Sequence, residues 1–202
     1  MSHVVVLLQP GAADWEMGPV LPALREYFGL QVRTASPDGR IVTTMGGLMV
    51  DVDTGYDTAD IVGAEAVLLI GSEAWTGFFD QPLFDRLKAR AEAGRPLGAI
   101  CAGTLALARA GVLDARPHTS NALGFLKQNA PAYAGEALYR DAAHAVSDGL
   151  VVTAPGSAPA SFAVAVAQAV RPEKRGEVVG YWNMARGEFE ALGTELEPIW
   201  KG

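Results

Sequence analysis

Val4–Leu8 is a continuous apolar run rich in β-branched residues, the mark of a strand buried on both faces. Ala66–Ile70 and Leu97–Ile100 repeat the pattern, and Gln31–Ser36, Ala137–Tyr139 and Leu150–Thr153 read as further strands. Ile41–Thr44 and Leu48–Val52, parted by Gly46-Gly47, read as a hairpin excursion. Between the strands the apolar spacing becomes helical. Helices are predicted over Glu16–Phe28, ended by Gly29; over Pro82–Ala93, stopped by Gly94; and from Cys101 through Ala110. Others are predicted over Leu123–Asn129, Ser161–Val170 and Val178–Leu192, the last with Trp182 and Phe189 as anchors. In Pro82–Ala93 the inward set is Leu83, Phe84 and Leu87, and the outward set Asp85, Arg86, Lys88 and Arg90. Strand alternating with helix predicts an α/β fold with a mostly parallel sheet and helices on both faces.

Composition narrows the class. The 202 residues suit a single domain over 1–202, with no internal repeat or linker. Half are hydrophobic and 19% charged, which is ordinary for a globular chain. A net charge of −7 argues against nucleic acid as a partner. No apolar run approaches a membrane span, and the first strand lacks the flanks of a signal segment. One cysteine excludes an intrachain disulfide and fits a reducing compartment, so the expected location is cytoplasmic.

That cysteine is the most informative residue. Cys101 follows the Leu97–Ile100 strand and opens a helix, so a thiol sits at a strand-turn-helix junction near free N–H groups, where thiolate is favoured. Ala99-Ile100-Cys101-Ala102-Gly103 parallels the nucleophile elbow, whose small neighbours permit a sharp turn. In an open α/β sheet, sites form beyond the carboxyl ends of the strands. Gly11–Glu16, Gly71–Trp75 and Cys101–Thr104 all leave strands at that edge. Glu16 is then either a first-turn acid favoured by the helix dipole or a carboxyl beside the thiol, keeping its proton while thiolate forms. The N–H groups of Gly71, Ser72 and Ala102 are candidate oxyanion donors. Trp15 and Trp75 either wall a small pocket or pack in the core. Of the three histidines, His3 opens the first strand at the far end and His144 lies in a polar stretch. His118 follows the nucleophile helix and is the candidate base.

Those residues resemble the ThiJ/PfpI family, within the class I glutamine amidotransferase-like superfamily. The resemblance covers nearly the whole chain. The cysteine elbow, the Gly11–Glu16 loop, Ser36-Pro37-Asp38-Gly39, Thr44-Met45-Gly46-Gly47, Gly71-Ser72 and Pro155-Gly156-Ser157 through Ser161-Phe162 all carry it. It implies a flavodoxin-like three-layer sandwich, usually a homodimer, with Glu16 as acidic partner of the cysteine. Family members include peptidases, amidases, glyoxalases, isocyanide hydratases, chaperones and oxidative-stress sensors. The chain departs from the family's histidine pattern. Ala102 follows the cysteine where the peptidases carry histidine, Asn121 stands where many deglycase-like members carry one, and none lies near Pro155. The resulting expectation is a cofactor-free, metal-free hydrolase or lyase acting on a small electrophile through Cys101. The alternative is an oxidative-stress sensor or chaperone-like protein without classical turnover.

Overall fold

A computed structural model describes residues 2–192, the side chains of residues 188, 189, 191 and 192 excepted; the expected anchor Phe189 therefore lies outside the described side chains. The apolar runs do become the centre of a sheet. β1 (His3–Leu7) pairs in parallel with β2 (Gln31–Ser36) on one side and β6 (Ala66–Leu69) on the other. β7 (Leu97–Ile100) and β9 (Val151–Ala154) continue the parallel set, and β5 (Thr54–Gly55) closes the β2 edge. β8 (Val146–Ser147) pairs antiparallel with β9, giving the seven-stranded order β5-β2-β1-β6-β7-β9-β8. β3 (Val42–Thr43) and β4 (Met49–Val50) form the separate hairpin.

Side-chain parity divides the interior into two layers. Successive strand residues point to opposite faces. Val5, Leu7, Val67, Leu69, Leu97 and Ala99 therefore meet α2 (Gln81–Glu92) and α3 (Thr104–Arg109) in one core. Val4, Val6, Leu8, Leu68, Ile70 and Ile100 meet α1 (Asp14–Pro22), α5 (Pro159–Val170) and α6 (Arg175–Leu192) in the other. This is the flavodoxin-like three-layer α/β sandwich. Among the described residues no helix is long and apolar enough to cross a membrane.

Three local expectations are corrected, and two short strands are added. The helix predicted over Glu16–Phe28 is α1 followed by a π turn, Ala23–Tyr27. Pro22 has no N–H to give the preceding turn, so the hydrogen-bond spacing changes there. Ala137–Tyr139 is not a strand; Glu136–Leu138 is a 3-10 turn after α4 (Leu123–Asn129). The short strands β5 and β8, of two residues each, carry too little pattern to be predicted. Arg90 does not face solvent: it is 2% exposed and donates to the carbonyls of Ile61, Ala64, Glu65 and Pro96. A guanidinium with that many donors can be buried because the chain ends entering β6 and β7 supply acceptors.

Candidate active site

β7 is buried along its length and ends at Cys101. There the backbone turns abruptly. Cys101 has φ of 57°, the only non-glycine residue with positive φ among those described. A 3-10 turn, Cys101–Gly103, then leads into α3. Such a conformation is costly for a residue with a Cβ and persists only where its surroundings hold it. Thr104 supplies part of that hold, its hydroxyl donating to the Cys101 carbonyl at 2.6 Å and pairing with Ser120 Oγ at 2.7 Å.

Glu16, in the first turn of α1, is fully buried against the thiol. Its Oε2 accepts the Gly71 N–H at 2.7 Å. Its Oε1 is buried with no donor in hydrogen-bond geometry, and the polar group beside it is the Cys101 thiol. Two glycines make room for this pairing. A Cβ at Gly71 would stand 2.6 Å from both Cys101 Cβ and Glu16 Oε2, and one at Gly156 would stand 2.9 Å from Cys101 Sγ. Asn121 approaches from the side of β9, Nδ2 lying 3.1 Å from Sγ. Its Oδ1 accepts the Gly156 N–H at 2.9 Å, and Trp15 donates from its indole to the Gly156 carbonyl at 2.9 Å.

The electrostatics revise the expected protonation. Burial pushes the Cys101 thiol up to about 11, and the Glu16 charge adds to the rise; Asn121 and the Ala102 N–H act in the opposite sense. Burial also raises Glu16, to about 7, against the Gly71 hydrogen bond. Glu16 therefore ionises before the thiol, the reverse of the order expected from the helix dipole. The physical reason is that burial penalises the charged thiol and the adjacent Glu16 charge opposes a second anion on sulfur, while Glu16 keeps the Gly71 hydrogen bond. Above about pH 7 the pair carries one proton between two atoms.

The structure thus brings Cys101, Glu16, Gly71, Asn121 and Trp15 together and separates others. The Gly71 N–H is committed to Glu16, which leaves the Ser72 N–H as the donor of that turn. Ser72 Oγ donates to the Pro10 carbonyl and receives the Ala74 N–H, tying the loop after β6 to the loop after β1. Trp75 is not a pocket wall: it is fully buried, donates to the Ile70 carbonyl and stacks on Tyr56. His118 is not on the thiol. Its Nδ1 lies 2.7 Å from the Arg116 carbonyl and its Nε2 2.6 Å from the Tyr133 hydroxyl. A carbonyl only accepts, so Nδ1 carries the proton and Nε2 receives the Tyr133 O–H. Burial lowers the His118 pKa, which keeps that tautomer neutral. His144 is exposed, and His3 lies beside Asp60.

Gly156 was not anticipated as a site residue. The signal was present, a Pro-Gly turn directly after an apolar strand, but nothing in the sequence places that turn on the sulfur. Among the described residues no group of three or more His, Cys, Asp or Glu could hold a metal ion.

A family model described as the DJ-1/PfpI family matches residues 2–169. A Bacillus subtilis protein named "Uncharacterized protease YoaZ" is 35% identical over 161 residues, which cover 76% of this chain and 76% of that protein. The solved structure of the DJ-1 superfamily protein Atu0886 from Agrobacterium tumefaciens is 41% identical, with a TM-score of 0.79 over 90% of this chain and 97% of that one. A thiJ/pfpI family protein from Bacillus anthracis is 31% identical, with a TM-score of 0.82 over 91% of this chain and 89% of that one.

Proposed function

The chain belongs to the DJ-1/PfpI family, and from that premise we propose that it is a cofactor-free hydrolase or lyase of small electrophilic substrates, with Cys101 as nucleophile. The observation that carries the reading is the buried Glu16 carboxyl packed against a thiol held at positive φ. In the proposed reaction the thiol attacks an electrophilic carbon, such as a carbonyl or an isocyanide carbon. Glu16 takes the thiol proton as the bond to sulfur forms, and its raised pKa suits it to take and return a proton near neutral pH. The Ser72 and Ala102 N–H groups are the proposed donors to the negative charge that develops on the substrate. No imidazole lies on the thiol, which speaks for small activated electrophiles over peptides, although the Bacillus subtilis relative is named a protease.

The competing assignment, an oxidative-stress sensor, needs a ready thiolate for peroxide to attack. Burial raises the thiol, so in that role too Glu16 has to take its proton. Steady-state assays with a 2-oxoaldehyde, simple amides and an isocyanide test the enzyme directly. The expected result is turnover of at least one class, reduced more than about a thousandfold in Cys101→Ser. Turnover on none of them, or activity retained in Cys101→Ala, overturns the proposal. Oxidation of Cys101 by mild peroxide without turnover on any substrate supports the sensor instead.

We also propose a homodimer. Met45, Leu48 and Met49 on the β3–β4 hairpin are exposed, and the hairpin docks on the loop and first residue of α1 just before Trp15 and Glu16, through Met45 N–H to Ala12 O and Gly46 N–H to Asp14 Oδ2. An apolar surface of that kind suits a second copy.

A further inference from the structure

Asn121 meets the sulfur with a group that can only donate. Its orientation follows from its other end. Oδ1 receives the Gly156 N–H, and a backbone N–H has nothing to accept with, so the carbonyl end must face Gly156 and the NH2 end must face Sγ. Gly156 is itself fixed. Its carbonyl is held by the Trp15 indole, and a Cβ there would meet Sγ and Glu16 Oε1 at 2.9 and 3.0 Å. The segment that delivers Asn121 is pinned at each of the three residues before it. His118 is held through both ring nitrogens, the Thr119 N–H donates to Thr153 Oγ1 at 2.9 Å, and Ser120 Oγ pairs with Thr104. Thr104 in turn holds the Cys101 carbonyl. An exposed side chain is thus carried to the sulfur on a buried support, which is the form of a preorganised contact and not of a loose surface one.

We propose that Asn121 is a further catalytic residue of this site, a donor that steadies negative charge on sulfur and, having no basic atom, leaves Glu16 as the proton acceptor. The proposal rests on Cys101 being the nucleophile. In the attack on a carbonyl, the S–H bond breaks and its proton passes to the Glu16 carboxylate. Sulfur forms a bond to the carbonyl carbon, and the carbonyl π pair moves to oxygen. In the reverse step the C–S bond breaks, its electron pair returns to sulfur, and the proton returns from Glu16. Asn121 acts in both directions at the moment sulfur holds the charge without the proton. Substrates are then limited to electrophiles whose conversion passes one proton at a time through a single carboxyl group.

The test reads the thiol and not turnover. Alkylation of Cys101 by iodoacetamide is followed by intact mass from about pH 5 to about pH 11, in wild type, Asn121→Ala and Asn121→Asp. Asn121→Ala is expected to move the profile to higher pH and to slow alkylation near neutral pH by about tenfold to a hundredfold, the worth of one hydrogen bond to a charged atom. Asn121→Asp keeps an acceptor for the Gly156 N–H but sets a carboxylate against the sulfur, so it is expected to slow alkylation further. If the alanine variant does not fold, the isosteric aspartate decides. An unchanged profile in a folded variant overturns the proposal. A shifted profile with no turnover on any substrate upholds the role of Asn121 at the sulfur and sinks the proposed activity. Turnover with an unchanged profile does the opposite.

Discussion

Glu16 has exchanged its water for one backbone N–H and one thiol, and its stability cost follows from that exchange. Its pKa rises from 4.5 to about 7 because burial penalises the charged form. Between those values the unfolded chain has released the proton and the folded chain still holds it, so stability falls as pH rises through this window. The full loss is about 3 kcal/mol, reached above about pH 7. Glu16→Gln keeps the shape and removes the ionisation, so its stability should stay level where wild type declines. Thermal unfolding of both proteins from about pH 4.5 to about pH 8 checks this; parallel slopes would show that Glu16 ionises in the fold as freely as in water. At this scale Cys101 and Glu16 were legible in the sequence, because a lone cysteine after an apolar run and an acid opening the next helix are local patterns. His118 was not. Its partners are a carbonyl two residues back and a hydroxyl fifteen residues on, and nothing local shows that both its nitrogens are occupied.

At the scale of elements, apolar periodicity located the strands and helices, and chain-distant acceptors decided the exceptions. Gln31–Ser36, Leu97–Ile100 and Leu123–Asn129 have the bounds their patterns predict. Arg90 lies at an outward position by its charge, yet α2 brings it under the segment entering β6, where the carbonyls of Ile61, Ala64 and Glu65 await a donor. Arg90→Met should fill the space but leave those carbonyls without their donor. The expected cost is about 3 kcal/mol or more by chemical denaturation, with no change in the alkylation profile of Cys101. A loss below about 1 kcal/mol would mean that water replaces the guanidinium without penalty. The same reasoning explains α1, where Pro22 predicts a disturbance but not its form, since the π turn also depends on how Ala23 and Leu24 seat in the core.

For the whole molecule, parallel order places the loops after β1, β6, β7 and β9 at one edge of the sheet, and the site is made where they meet. The hairpin lies against the first of these loops, so the surface proposed for the dimer adjoins the site. Light scattering should give a mass of twice 21.2 kDa, and Met49→Asp should return it to 21.2 kDa without loss of fold. A wild-type mass of 21.2 kDa at tens of micromolar would remove the homodimer, because an interface that buries about 800 Å² per partner holds at that concentration. The sequence alone determined the alternation of buried strands and amphipathic helices, the elbow at Cys101 and the lack of a histidine where the family often carries one. These are properties of neighbours along the chain, written in hydrophobic spacing and residue type. Only the tertiary structure decided that Gly71 spends its N–H on Glu16, that Trp75 is core, that Gly156 closes on the sulfur and that Asn121 presents its amide to it. Each of those depends on which loops a parallel sheet brings together and on how much water they exclude. For the same reason burial and the neighbouring Glu16 charge, which raise the Cys101 thiol, are not legible along the chain.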